Sequence, residues 1–252
     1  EGVQGVLAAD RVLFVERGGD RVRGLVFSLD TDSYVAEDLT AFARHIAGSA
    51  AFVETALQKA PENIFWCLRS DGTLAVLTWD PIQQVLGWTR CTFGTAVKTI
   101  CVTPGTDTSD TLWLVVKRGT DFYLETLSLA DTVFLDCAVV ATHGTRVATV
   151  TLPTGRTPAG DYVLVSSDVE LTLNTDYTFS APTATIDTDL NLLSVVGGVR
   201  YTSTLETTAV VVDEFAHGGK MRAVRASLYV VASFGGTVSL DGGTTTRPTD
   251  FA

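Results

Sequence analysis

Histidine, cysteine and basic side chains are scarce in this sequence, and long apolar runs are missing. Three histidines, His45, His143 and His217, stand among 252 residues. None has a second His or a carboxylate at metal-ligand spacing, so no metal residue is assigned. The four cysteines, Cys67, Cys91, Cys101 and Cys137, match no zinc pattern and form no Cys-x-x-Cys. Their apolar strand contexts predict buried free thiols acting as small hydrophobes, with a structural disulfide as the alternative. Lys plus Arg number 18 against 29 Asp plus Glu, a net charge of −11. Nucleic-acid binding needs clustered cations to replace counterions, and the densest basic stretches, 17–23 and 220–225, are short. An acidic chain that meets DNA repels it, as a lubricated channel does; plain solubility is the other reading of the same charge. The apolar runs are strand length, well short of the ~20 residues a membrane span needs. The opening Glu1-Gly-Val-Gln-Gly5 lacks the basic and apolar regions of a signal peptide. A start without Met points to a processed chain or a fragment.

Catalytic signatures are absent too. There is no Gly-x-Ser-x-Gly elbow and no phosphate loop, and Gly197-Gly198 and Gly218-Gly219 read as turn glycines. Asp30, Asp32, Glu37 and Asp38 cluster in sequence, and Asp187 and Asp189 share a loop. Two such carboxylates could serve as glycosidase acid and base, and the Asp-Thr-Asp stretches could hold calcium, but without EF-hand spacing. Solvated loop acids are the expectation. No catalytic, cofactor-binding or metal residue is assigned, no cofactor is expected, and the chain is read as a non-enzyme.

What is present is a recurrence. Val12-Leu-Phe-Val15, Ile64-Phe-Trp-Cys67 and Leu112-Trp-Leu-Val115 each start a strand. A polar turn follows each: Arg17-Gly-Gly-Asp20, Ser70-Asp-Gly-Thr73, Lys117-Arg-Gly-Thr-Asp121. A second apolar strand follows each turn. The units recur about every 50 residues, a period at which repeated sheets make propeller blades. Asp71-Gly72 between two apolar runs is a strong hairpin signal, and Pro81 stops the strand before it. Strands at 64–68, 74–79, 85–90 and 97–103 make one blade. Leu39, Phe42, Ala43 and Ile46 form a helical stripe, with Asp38 as N-cap and Gly48 as stop. A second short helix is expected over 51–59. Trp66, Trp79, Trp88 and Trp113 sit in the blade region as core; exposed, they would stack on sugars.

Composition shifts near residue 137. From 141 to 194 the chain is rich in Thr, Val and Asp and has no Trp, with short strands expected at 147–152, 162–165, 169–173, 177–179 and 184–186. Strands are expected again at 210–212 and 224–231, and the end, 235–248, reads as loop. The fold class is mainly β: propeller-like blades of antiparallel sheet with a short helix, plus an inserted small β-sandwich or barrel. The expected domains are 1–136 (blades), 137–194 (insertion) and 195–252 (a C-terminal β segment completing the blade or platform region). Three units are too few to close a propeller of ~4–8 blades, so further blades are expected upstream or from neighbours.

Several segments, in order, resemble the tail nozzle or tail stabilisation proteins of short-tailed bacteriophages of the T7 and P22 types. They are Val12-Leu-Phe-Val-Glu-Arg-Gly-Gly-Asp20, Tyr34-Val-Ala-Glu-Asp-Leu-Thr40 with His45-Ile46, and Ile64-Phe-Trp-Cys-Leu-Arg-Ser-Asp-Gly-Thr-Leu74 with Trp88-Thr-Arg90. Leu112-Trp-Leu-Val-Val-Lys-Arg118 and Gly198-Val-Arg-Tyr-Thr-Ser203 complete the series. The resemblance covers most of 10–136 and 195–240 and little of 141–194. It implies a structural virion protein, made in the host bacterial cytoplasm. It implies a homo-oligomeric ring, typically a hexamer, below the portal and adaptor, that closes the channel, conducts DNA during ejection and docks fibres or spikes. Unpaired sheet edges would be the assembly surfaces. The reading from another class is a carbohydrate-binding or glycoside-cleaving propeller.

Overall fold

The computed structural model describes residues 2–105, 109–127, 135–152, 162–167 and 169–200, and the backbone of 236–239 and 246–249. The chain divides into two compact units, Glu1–Thr202 and Ser203–Ala252. The structure is mainly β, built from several antiparallel sheets, with one short helix among the described residues.

Three meanders come first. Strands β1 (Val6–Ala8), β2 (Arg11–Val15), β3 (Val22–Ser28) and β4 (Ser33–Asp38) pair in chain order. Strands β5 (Phe52–Gln58), β6 (Ile64–Arg69), β7 (Leu74–Asp80) and β8 (Val85–Cys91) do the same. Strands β9 (Val97–Pro104), β10 (Asp110–Arg118) and β11 (Asp121–Leu127) make the third sheet. Each recurring apolar motif occupies the second strand of its sheet, in β2, β6 and β10.

The sheets stack face to face. Side chains alternate across a strand, so each sheet has two faces. Phe65, Cys67, Ala75 and Leu77 of the second sheet pack with Leu13 and Val22 of the first. Trp66, Leu68, Leu74 and Val76, on the opposite face, pack with Ile100, Leu112, Leu114 and Val116 of the third. The second sheet is therefore covered on both sides. That is why β6 and β7 read as unbroken apolar runs rather than alternating ones.

Two helix expectations are corrected. Helix α1 spans only Arg44–Ala47, with Ala43 at its N-cap and Gly48, at φ +55°, ending it. Asp38 does not cap it: its carboxylate accepts from the N–H and hydroxyl of Thr40 at 2.9 and 2.7 Å. The Leu39 N–H is given to Val22 O at 3.0 Å, which pulls Leu39 into the core and leaves Phe42 fully exposed. The stretch 51–59, expected as a helix, contains β5. Pairing with β6 overrides local propensity there, and buries Phe52 and Gln58 at the strand's two ends. The second sheet accordingly covers 52–91, and the strand at 97 opens the next sheet instead of closing this one.

The described residues of 135–200 form a two-layer sandwich. One sheet has the order β12 (Leu135–Thr142), β18 (Ser194–Arg200), β14 (Tyr162–Ser166), β15 (Val169–Glu170). The other has the order β13 (Thr149–Thr151), β17 (Thr183–Ile186), β16 (Tyr177–Ser180). Val150, Leu152, Tyr177 and Ile186 of the second meet Tyr162, Leu164 and Val195 of the first. The stretch from 195 lies in β18, hydrogen-bonded between β12 and β14. Gly197 and Gly198 are thus strand glycines, not turn glycines. A Cβ on Gly197 would meet Leu164 Cδ2 and Val150 Cγ1 at 2.9 Å, and one on Gly198 would meet Leu135 Cβ at 2.7 Å. The end expected as loop holds a hairpin of β19 (Gly236–Ser239) and β20 (Thr246–Thr249). The strands expected at 210–212 and 224–231, Gly218-Gly219 and His217 lie outside the described residues.

Candidate functional site

The polar turns after β2 and β6 do more than reverse the chain. Gly19 and Gly72 sit at φ +75° and +81°, which glycine adopts without steric cost. Their backbones lie against the next sheet. Gly19 O accepts the Phe52 N–H at 2.7 Å, and Gly72 O accepts the Val97 N–H at 2.9 Å. Phe52 and Val97 are the first residues of β5 and β9. An alanine precedes each, and a Cβ on Gly19 or Gly72 would come within 2.7 Å of Ala51 Cβ or 2.6 Å of Ala96 Cβ. The same fastening is therefore built twice, at equivalent places. Gly119, at φ +62°, carries the third turn.

Arginines hold the connections. The last carbonyls of α1 have no intrahelical partner. Arg90 donates to His45 O at 2.9 Å, and buried Arg69 donates to Ala47 O at 2.8 Å. Arg69 also pairs with Asp71 at 2.8 Å, tying α1 to the β6–β7 turn. Buried Arg118 forms a bidentate pair with Glu125 and reaches Asp136 at 3.4 Å. This joins the third sheet to the start of the sandwich. Burial pushes the Asp136 carboxyl up despite Arg118, and pushes the Cys137 thiol to about 12. Such a thiol is protonated and inert at neutral pH.

The stack ends in two apolar faces. On the far side of the first sheet, Leu7, Val12, Phe27 and Tyr34 are 60%, 37%, 44% and 71% exposed. The Phe27 and Tyr34 rings meet edge to face at 5.3 Å. On the far side of the third sheet, Phe122 and Leu124 are 61% and 66% exposed. Leu124 lies opposite half-buried Val115 and diagonal to half-buried Trp113, and Phe122 lies opposite exposed Lys117 at the turn end. Scattered exposed apolar residues need no explanation, but a contiguous face does.

The residues weighed on sequence grounds are dispersed. His45 is exposed on α1; His143 is exposed and its Nδ1 accepts the N–H groups of Thr145 and Arg146, closing a turn. Asp30 and Asp32 are exposed in the β3–β4 turn, and Glu37 pairs with Arg11. Burial raises Asp38, but Thr40, Arg44 and Arg23 outweigh it and hold the carboxyl below its ordinary range. Asp187 accepts the Asp189 N–H at 3.1 Å, a local loop turn. Among the described residues no three His, Cys, Asp or Glu side chains are placed to hold a metal ion. All four cysteines are free; Cys67 is buried, Cys91 and Cys137 are half-buried, and Cys101 is exposed.

Trp66 and Trp79 are buried. Trp66 donates its indole N–H to Gln58 at 3.3 Å, Trp88 to Leu39 O at 2.8 Å and Trp113 to Thr103 at 2.9 Å. Trp88 stacks on Phe52 within the second sheet, and Arg11 of the first sheet lies over Trp79 of the second, so Trp79 and Trp88 serve packing instead of a sugar platform. Among the described residues two open clefts stand out. One, of about 280 Å³, lies beside the β6–β7 turn with Arg69, Asp71 and Lys98. The other, of about 480 Å³, lies on the sandwich with Tyr177, Thr172 and the Glu170–Arg200 ion pair. No helix among the described residues is long and apolar enough to cross a membrane.

Sequence reasoning found the turns and the second strands but missed the end faces. The signal was available: β2 is apolar on both sides, like the doubly covered β6. No protein-family model matches this sequence, and no curated protein matches it.

Proposed function

We propose that this chain is a structural, non-catalytic subunit of a bacteriophage tail nozzle ring, whose stacked sheets are blades of a propeller. In the virion it conducts DNA during ejection and contacts portal-side adaptor proteins and fibres or spikes. The observation that carries the reading is the serial stack itself: sheets fastened by equivalent contacts and ending in apolar faces. Such a stack offers surfaces for assembly, and the two clefts described above are open rather than enclosed. The ordered motifs that resemble the nozzle family and the net charge of −11 support it.

Native mass and negative-stain microscopy test the reading. A ring, expected as a hexamer, supports it. A monomer that binds or cleaves host polysaccharide supports the carbohydrate reading instead. The charge makes a separate claim. Replacing several exposed acids with Lys should slow DNA ejection from assembled particles without unfolding the protein, and an unchanged rate would sink the lubricated-channel idea.

A further inference from the structure

We propose that a second copy of this chain docks head to tail on the stack, the far face of its third sheet lying on the far face of the first. The repeat identifies what the exposed faces are for. In the register fixed by the sheet junctions, Phe52 pairs with Arg69 and Val97 with Val116. Phe65 and Cys67 of β6 then correspond to Leu112 and Leu114 of β10. Both pairs are buried against the preceding sheet. The corresponding residues of β2 are Val12 and Phe14, on the exposed far face. That face therefore has the side chains of a surface covered by a preceding sheet.

Its complement is equally defined. The preceding sheet at each junction contributes the opposite face of its second strand: Leu13 at the first junction, Trp66 and Leu68 at the second. The third sheet carries the same kind of face: Trp113 and Val115 in β10, Leu124 of β11 opposite Val115, and Phe122 opposite Lys117 at the turn end. Nothing among the described residues covers it. Within one chain these faces lie at opposite ends of the stack, separated by the second sheet, so they cannot meet each other. Between two copies they can. A head-to-tail contact used twice closes into a pair, and two stacks of three give six sheets, within the ~4–8 that closed radial arrangements use. The turn at Gly119 would then sit against the start of the partner's first sheet, as the Gly19 and Gly72 turns sit against β5 and β9. The closed pair uses both end faces, so a hexameric ring would rest on other contacts of the chain, and the pairing stands without the ring.

Native mass spectrometry and light scattering of the full chain read the pairing directly: an even multiple of the chain mass is expected, twofold for the pair alone and sixfold where the ring also forms. Phe27→Asp and Leu124→Glu change exposed side chains on opposite end faces, and circular dichroism should confirm that both variants fold. Tyr34→Lys serves as a second first-sheet variant if Phe27→Asp does not. Each variant alone should weaken pairing at least tenfold. Mixing the two restores one intact contact, so a mixed pair should reappear. A folded wild-type monomer at tens of micromolar overturns the proposal. So does a Leu124→Glu variant that pairs as well as wild type, because the first-sheet faces would then meet each other. A hexamer that survives both substitutions overturns the pairing and leaves the nozzle reading. A pair that forms nothing larger supports the pairing and counts against the ring.

Discussion

Gly72 does two jobs with one missing side chain: it takes φ +81°, and it lets the turn reach Ala96. Gly72→Ala should cost about 1–3 kcal/mol, since a strained backbone and a collision act together. Gly87→Ala has open space around the added Cβ and should stay within about 0.5 kcal/mol of wild type. Urea unfolding of both variants checks the contrast. The two Asp-x-Thr turns make a prediction about pH. At Asp71, as at Asp38, burial raises the carboxyl, but the threonine two residues on and nearby arginines outweigh it and hold it below 3.8. Their folded values are depressed, so the stability they contribute is full above the ordinary carboxylate range. It is lost as pH falls through the depressed values. An Asp38→Asn, Asp71→Asn double variant should be less stable at pH 7 and show a flatter acid limb in urea midpoints measured against pH. The turn residues were legible because Asp-Gly and Gly-Gly have few conformational alternatives. The bonding of Asp38 was not, because Asp before an apolar stripe is equally good as a helix cap.

Trp66 ties the second sheet to the third from within β6. Trp66→Ala should cost about 3–5 kcal/mol, as a large buried ring leaves a cavity. Trp113→Ala, at the half-buried equivalent position in β10, should cost clearly less; thermal unfolding ranks the two. A second copy covering Trp113 would raise its cost in the paired form. The second strands were readable as strands because three apolar runs ended in glycine turns. Strand β5 was not: Phe52-Val-Glu-Thr-Ala-Leu-Gln58 is amphipathic at helical spacing, and only the open edge of β6 makes it a strand. The strand glycines of β18 were misread for a related reason. A glycine pair looks like a turn until a facing Leu164 and Val150 show why no Cβ fits.

At the scale of the whole molecule, charge opposes the proposed pairing. Two copies each bearing −11 repel at long range, while the apolar end faces attract only on contact. Raising salt from 0.05 to about 0.5 M shortens the screening length severalfold, so pairing should tighten. Sedimentation at the two salt concentrations checks the sign. The mainly β class was legible from punctuation and period. Which faces stay exposed was not, because a strand covered by its own chain and one awaiting another copy have the same composition. One consequence lies in the fastening between turn glycine and following strand. It uses only a backbone carbonyl, a backbone N–H and a small residue beside them, so it is indifferent to the side chains of the cores it joins. Each unit is thus a cassette with a generic connector, and tandem duplication or loss of a unit could change the number of sheets without requiring a new joint.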